Sequence, residues 1–495
     1  MICIPIIANN LDDALRDMKE ASKVADIIEV RLDYLKKPDL KCILERRTKP
    51  VIITNRPVRE GGTFEGSEEE RISVLKLAIQ LQADYIDIEH DSIQNIPGDT
   101  ARRVPTKIIV SYHNFRETPD NLIPLYQRLR QSGADIVKMV TYANTITDNI
   151  KIYRLLRQAH GHMISFCMGE CGMISRILYK KFGGYLTFAS LRKGKESAPG
   201  QISIQDLLTI YQPQRQGKET DVYGLIGNPV SHSISPLIHN TLFREMNLRS
   251  TYVPFKVENI GDFIQAFREL DVKGYSVTIP HKESVLHHLD ASEPMAKKIG
   301  AVNTIVNKDG QLIGFNTDCK SAIQALEDLL HTSGMGTEND HFTGRWVTLL
   351  GAGGASRAIA FGLQERGAHV TVVNRKYERA QSLARDVGCL SGEFGDLPEI
   401  KTDILINATP AGMFPAVNET PVDKNQLKPN MLVFDTIYNP AETRLLREAK
   451  AQGCKIIGGL PMFVNQAAAQ FELWTGIKPP LKLIEEIACK KLLGE

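Results

Sequence analysis

The sequence predicts an α/β protein in two halves. The first is an N-terminal (β/α)8 TIM barrel; the second is a two-subdomain α/β unit with a Rossmann fold. Three observations predict this. Short β-branched runs alternate with helix-like stretches about eight times before residue 210. A polar stretch, Gln212-Pro213-Gln214-Arg215-Gln216-Gly217-Lys218-Glu219-Thr220, then interrupts the alternation and has no apolar face. The alternation restarts at Val222 and later reaches a strand that runs directly into glycines, Val347–Ala358.

In the first half, candidate strands begin near Cys3, Ile27, Val51, Tyr85, Lys107, Asp135, Met163 and Leu186. Between them Leu11–Ala25, Glu68–Gln82 and Asn121–Ser132 carry apolar residues at helical spacing. Chemistry in such a barrel sits where strands end and the next loops begin. The second strand offers Glu29, Arg31 and Asp33, which share a face because strand side chains alternate. The third offers Arg56 and, just beyond it, Glu60; the fifth ends in Ser111-Tyr112-His113. The sixth carries Lys138 inside Asp135-Ile136-Val137-Lys138-Met139-Val140. An ammonium in an apolar strand is costly to bury unless it is paired or its pKa is lowered. A lowered pKa suits a lysine that attacks a carbonyl, since only the neutral amine is nucleophilic. The plainer alternative is a surface lysine whose stem lies along the barrel.

The second half has its clearest motif at Gly351, Ala352, Gly353, Gly354 and Ala355, between a strand and a helical stretch reaching Arg366. Such a turn lets backbone N–H groups at a helix start approach a pyrophosphate. The next strand, His369–Val373, ends in Asn374, Arg375 and Lys376. An NAD enzyme usually places an acid there; two cations suit a 2′-phosphate, so NADP(H) is the expected cofactor. A polar, glycine-containing patch, His331–Gly344, marks a subdomain boundary between Asp318 and Gly344.

Bulk properties exclude several classes. At 495 residues the chain suggests roughly two to three domains. A formal charge of +2 gives no global field for nucleic acid or an anionic membrane. No apolar run approaches the ~20 residues of a membrane-spanning helix. Met1–Ile7 reads as a first strand rather than a signal peptide. Eight cysteines in so long a chain form no disulfide framework, and Cys167 and Cys171 lack a second zinc half-site. These features predict a reducing, cytoplasmic location and no metal, and no obligate protein partner is implied. Glu68-Glu69-Glu70 and His287-His288 read as solvated surface.

Taken together, EVRLD (29–33), RPVREGG (56–62), SYHNF (111–115), VKMV (137–140), GMISR (172–176) and SAPGQI (197–202) resemble type I 3-dehydroquinate dehydratase from Cys3 to Tyr211. The resemblance implies that Lys138 forms an imine with the substrate ketone. His113 would remove the adjacent proton and later protonate the departing hydroxyl, with Glu60 orienting it. Glu29 and Arg56 would hold ring hydroxyls, supported by Arg31. Arg176 would take the carboxylate bidentately, with Ser197 and Gln201 closing over it. Phe166, Met168 and Phe188 would wall the imine or simply fill the barrel.

From Val222 onward, GLIGNPVSHSISPLIHN (224–240), VTIPHK (277–282), GAVNTIV (300–306), GFNTD (314–318), NATPAGM (407–413) and Asn465-Gln466-Ala467 resemble shikimate dehydrogenase. By that resemblance Ser233 and Ser235 bind the substrate carboxylate. Thr278, Asn303 and Gln466 hold ring hydroxyls, with Tyr438 nearby. Lys282 and Asp318 form the catalytic pair, Lys282 moving the hydroxyl proton and Asp318 positioning it. Asn407, Thr409 and Met413 line the nicotinamide side. One departure is Ser276, where many members have Asn. The organisation expected is a barrel over 1–212, a linker over 213–221, a substrate-binding subdomain over 222–318 plus 461–495, and a Rossmann subdomain over 319–460. The implied reaction is conversion of 3-dehydroquinate to 3-dehydroshikimate and then to shikimate. Two alternatives are a fused quinate dehydrogenase and a ligand-sensing regulator built on inactive copies; the latter would be expected to lose Lys138 or the Lys282–Asp318 pair.

Overall fold

Eight short strands, β1 (Ile2–Ile6), β2 (Ile27–Arg31), β3 (Val51–Thr54), β4 (Tyr85–Glu89), β5 (Lys107–His113), β6 (Ile136–Tyr142), β7 (His162–Met168) and β8 (Thr187–Phe188), make up the first sheet. The structure is a computed structural model that describes residues 1–96, 105–231, 233–332 and 341–493. The strands are parallel and ordered β7-β6-β5-β4-β3-β2-β1-β8. At the seam, the Tyr185 N–H, just before β8, donates to the Met163 carbonyl at 2.7 Å, so the barrel is nearly closed. This is the expected barrel, and each strand starts within one residue of its expected position.

Its helices include Leu11–Ala21, Glu68–Gln80 and Ile123–Gln131. The interior is filled by inward residues of successive strands, among them Cys3, Ile27, Ile52, Ile109, Ile136 and Ile164. Alternation then places the charged residues of β2, β4, β5 and β6 on the inward face near the strands' C-terminal ends. Glu68 departs from the solvated-surface expectation: it is half-buried and accepts from both the Arg71 guanidinium and the Ser92 hydroxyl.

The chain divides into two compact units, Met1–Val222 with Asn247–Leu270 and Tyr223–Met246 with Asp271–Glu495. The segment 247–270 carries the strand Ser250–Lys256, which lies next to Asp221–Gly227 at the edge of a six-stranded sheet. The stretch expected to be the linker is partly folded. Pro213–Arg215 forms a 3-10 turn, and Pro213, Gln216 and Thr220 are buried. Lys180 and Lys181 donate to the carbonyls of Gln214 and Thr220, which satisfies polar backbone that would otherwise need water.

In the second unit, Gly274–Val277 pairs parallel with Asp221–Gly227 and antiparallel with Thr304–Lys308, which forms a hairpin with Gln311–Phe315. The helix Leu460–Thr475 docks on this sheet, with Trp474 Nε1 donating to the Ile305 carbonyl at 3.0 Å. A second, parallel sheet has the order Leu390–Gly392, His369–Val373, Trp346–Leu350, Ile404–Asn407, Leu432–Asp435, Lys455–Ile457. Read by chain position this is 3-2-1-4-5-6, the doubly wound order. Its switch point lies between Trp346–Leu350 and Ile404–Asn407, beside the glycine turn, where such folds bind nucleotides. The polar patch His331–Gly344, read as a boundary, lies largely outside the described residues.

Candidate active sites

At the barrel mouth Lys138 is 4% exposed, which removes the surface-lysine alternative. Its Nζ lies 2.8 Å from Asp87 Oδ2 and 3.7 Å from Glu29 Oε1, so pairing answers the cost of burying it. Arg56 completes the group, 2.7 Å from Asp87 and 2.6 Å from Glu89, and donates to Ser111 Oγ. Burial alone would raise the Asp87 carboxyl, but Arg56 and then Lys138 outweigh it and hold the group well below the usual carboxylate range. Glu29 accepts from Thr54 Oγ1 at 2.9 Å. Arg31 forks onto Asp33, which in turn accepts from the Thr63 backbone, so Arg31 braces the loop that carries Glu60. Asp87 and Glu89 were not among the expected site residues. Their signal was the same as that of Glu29 and Arg31: charges two apart in an otherwise apolar strand.

His113 Nδ1 lies 2.9 Å from Glu60 Oε2, and the His113 backbone N–H donates to the same oxygen at 3.0 Å. Burial, reinforced by the charges of Arg56 and Lys138, pushes His113 well below its ordinary pKa. Burial pushes Glu60 up to about 7, against the opposing charge of Arg56. Above that pH the pair is a neutral imidazole with Nδ1–H directed at a carboxylate, leaving the Nε2 lone pair as a base. Below it, Glu60 is protonated and no longer fixes that tautomer. Proton abstraction by this pair is therefore expected to rise through a limb near pH 7. Glu60→Gln should flatten the limb and lower the plateau by about tenfold; the pH profile of kcat/KM measures both.

Arg176 is 1% exposed, stacks over the Phe166 ring at 4.2 Å, and has no hydrogen-bond partner at Nε or Nη2. Burial lowers it to about 10, so it remains cationic near neutrality. Gln201 points the same way chemically: its Oε1 accepts from the Ser197 N–H at 2.8 Å, while its Nε2 is buried without a partner. Unpaired buried N–H groups are expensive, and here they line the cavity that also holds Glu29, Arg56, His113 and Lys138. A donor-only wall of this kind selects a planar, two-oxygen anion. Phe166, Met168, Phe188 and Ser197 line the same cavity.

In the second unit Lys282 Nζ lies 2.5 Å from Asp318 Oδ2. Ser233, Ser235, Thr278, Tyr438 and Gln466 join this pair around a cavity of about 370 Å³. Burial raises the Tyr438 phenol to about 12, opposed by its hydrogen bond with Ser233, so it is a neutral hydroxyl at working pH. Asn303 is buried beside Asp318, donating to Asp318 Oδ1 and Thr317 Oγ1 at 2.8 Å each and to the cavity residue Gln466 at 3.5 Å. Gln470, which was not anticipated, lines the cavity one helical turn after Gln466 and accepts from Ser276 Oγ at 2.8 Å. The departure at Ser276 thus has a bonded partner.

The glycine turn suits a dinucleotide. Gly351 has φ of +107°, a conformation that L side chains rarely adopt, and its N–H bonds the Val373 carbonyl. Gly353 precedes the helix Gly354–Gln364 with no side-chain cap, and a Cβ there would meet nothing within 4 Å. No side chain caps the helix's first N–H groups. Ala355 lines the cavity, and Ala352 is buried. Asn374 is half-buried, while Arg375 and Lys376 are exposed and in no ion pair among the described residues, as a 2′-phosphate site requires. Asn407, expected to line the nicotinamide side, is fully buried instead. It accepts from Thr409 N and Oγ1 at 3.0 and 2.7 Å, and Thr409 and Met413 line the cavity. A Cβ at Gly354 would fall 2.8 Å from Lys282 Cβ. Gly354→Ala is thus expected to displace Lys282 and lower turnover at this site by about tenfold while the barrel site is unaffected, as paired assays would register.

Among the described residues no three His, Cys, Asp or Glu side chains group as metal ligands, and no helix is long and apolar enough to cross a membrane. The model for type I 3-dehydroquinase matches residues 2–218, and that for the shikimate dehydrogenase substrate binding domain matches 225–305. The shikimate/quinate 5-dehydrogenase model matches 336–443, and the shikimate 5′-dehydrogenase C-terminal domain matches 459–489. The chloroplastic bifunctional 3-dehydroquinate dehydratase/shikimate dehydrogenase of Arabidopsis thaliana is 44% identical over 99% of this chain and 84% of its own. The NADP(+) shikimate dehydrogenase of Bacillus cereus is 41% identical, covering 55% of this chain and 99% of its own. A solved shikimate dehydrogenase in complex with NADP+ shares 37% identity over 56% of this chain and 97% of its own, with a TM-score of 0.51.

Proposed function

The chain belongs to the family of bifunctional 3-dehydroquinate dehydratase/shikimate dehydrogenases, and from that premise we propose how its two cavities perform consecutive steps. The barrel dehydrates 3-dehydroquinate, and the second unit reduces 3-dehydroshikimate to shikimate with NADPH. The observation that carries the assignment of sites is the unpartnered, buried guanidinium of Arg176 in one cavity with Lys138 and the His113–Glu60 pair.

In the barrel, Arg176 and Gln201 take the substrate carboxylate with the N–H groups that lack partners. Lys138 in its neutral form adds to the ketone and loses water to give an imine, whose protonated nitrogen accepts the electron pair left by proton removal. His113 Nε2 takes the proton beside the imine, then returns a proton to the departing hydroxyl, and hydrolysis frees Lys138. Glu60 holds His113 in the required tautomer. Glu29 and Arg56 bind ring hydroxyls, and Arg31 braces the loop.

In the second unit, the nicotinamide cofactor supplies the hydride when bound. Ser233, Ser235 and Tyr438 bind the carboxylate end, and Thr278 and Gln466 meet the ring hydroxyls. Lys282 donates the proton to the ketone oxygen, while Asp318, fixed by Asn303, holds its Nζ. The proposal invokes no protein partner. All eight cysteines are free, which suits a reducing compartment such as the cytoplasm.

The test is the product mass after incubation of the pure chain with 3-dehydroquinate and NADPH. Shikimate is expected. Quinate, heavier by one water, would mean that the second unit reduces dehydroquinate directly; unreduced dehydroshikimate would leave the barrel assignment alone standing.

A further inference from the structure

The strand Leu432–Asp435 ends in a carboxylate with no exposed surface that neither reaction touches. Three segments of the second unit donate to it. Asn407 Nδ2 reaches Oδ1 at 3.1 Å, the Ile437 N–H reaches the same oxygen at 3.1 Å, and Thr443 Oγ1 reaches Oδ2 at 2.7 Å. Burial raises this carboxyl to about 6, and the bonds from Thr443, Ile437 and Asn407 pull the other way.

The consequence lies in the Asn407 amide, which has two ends. With Asp435 Oδ1 accepting at 3.1 Å and the Ala411 carbonyl at 3.4 Å, the NH2 end is committed to these acceptors, so the carbonyl end faces Thr409. There it accepts both the Thr409 N–H and hydroxyl. A flipped amide would aim its NH2 at the Thr409 N–H, a donor, and its oxygen at Asp435 Oδ1, an acceptor; both bonds would be lost. The same carboxylate fixes Ile437, and Thr409 and Ile437 both line the cavity. Two walls of the cavity thus share this acceptor.

We propose that Asp435 is a positioning residue of the reductase, setting the Asn407 amide so that Thr409 and the loop to Met413 stand at the cofactor end of the cavity. This rests on the reading that the Thr409–Met413 wall faces the nicotinamide. The role needs an acceptor at Oδ1, not a charge. Asparagine at 435 can keep its oxygen toward Asn407 and Ile437 and donate to Thr443 Oγ1, whereas leucine fills similar space and accepts nothing.

The experiment compares Asp435→Leu, Asp435→Asn and Thr409→Val in the full chain, by amide hydrogen exchange without cofactor and by steady-state reduction. For Asp435→Leu, exchange at the Thr409 amide should quicken at least about tenfold while the Trp346–Leu350 strand is unchanged. Its kcat should fall about tenfold or more with the KM for dehydroshikimate within about threefold. Asp435→Asn should return both readouts to within about threefold of the parent. If Asp435→Leu leaves the Thr409 amide protected, or if Asp435→Asn is equally impaired, the inference is wrong. Should Asp435→Leu fail to fold, Asn407→Ser carries the same test, and unchanged exchange at Thr409 there overturns the proposal. Unchanged kcat in Thr409→Val would instead sink the cofactor-facing reading of that wall, because exchange at Thr409 in Asp435→Leu is read without cofactor.

Discussion

Exchanging Lys138 for alanine is expected to lower dehydration by at least about 10⁴-fold, because it removes the nucleophile and with it the electron sink. The effect should be confined to one site. Reduction of 3-dehydroshikimate by the same protein should stay within about twofold, since Lys282 and Asp318 belong to a separate cavity. Borohydride added with 3-dehydroquinate should fix substrate mass to the parent chain and none to the variant. Trapped mass in Lys138→Ala would reassign the imine lysine. The fold should tolerate the change. Removing one partner of a buried pair typically costs about 3–5 kcal/mol when a charge is stranded. Here Asp87 retains Arg56 at 2.7 Å and Ser111 Oγ at 2.6 Å, so the loss should fall below that range.

Much of this site was legible because a strand announces its polar exceptions. Glu29, Arg31 and Lys138 are charges inside apolar runs, and alternation sends them to the barrel's inward face. What the residues alone leave open is which charges meet. Arg56 joins Asp87 and Glu89 through the β3–β4 register, and Lys138 reaches Asp87 from two strands away. That pairing depends on sheet order rather than on any local spacing. The roles of Arg176, Ser197 and Gln201 came with the family resemblance. The structure adds the physical reason, which is that the two buried groups, Arg176 and Gln201, lack partners at the atoms a carboxylate would engage.

The second unit was legible in the same uneven way. Its glycine turn and the cations at 375 and 376 are local signals, and the sheet order agrees with them. Asn303 and Asn407 were expected at the cavity surface, yet both are buried and hold the residues in front of them, Asp318 and Thr409. A motif reports that an amide is needed at a position but not whether it faces a ligand or another side chain. Nor does composition distinguish a free linker from 213–220, whose polar backbone finds partners on the barrel.

The contrast between facing and supporting residues yields the second large effect, at Lys282. Its side chain is 17% exposed against 4% for Asp318, and Asp318 is also held by Asn303, so the lysine is the member of the pair presented to the cavity. Lys282→Met keeps the aliphatic stem that packs on Gly354 and deletes the ammonium. Loss of a positioned general acid–base group costs about 10² to 10⁴ in rate, and the reductase kcat should fall by that much. Dehydratase activity of the same chain should hold, giving an internal check on folding. Asp318→Asn should be milder, about tenfold, because the amide retains one oxygen for Lys282 Nζ while losing the charge that fixes it. The order of the two variants carries the assignment. If Asp318→Asn proves as damaging as Lys282→Met, the carboxylate handles the proton itself, and Lys282 is reduced to holding it in place.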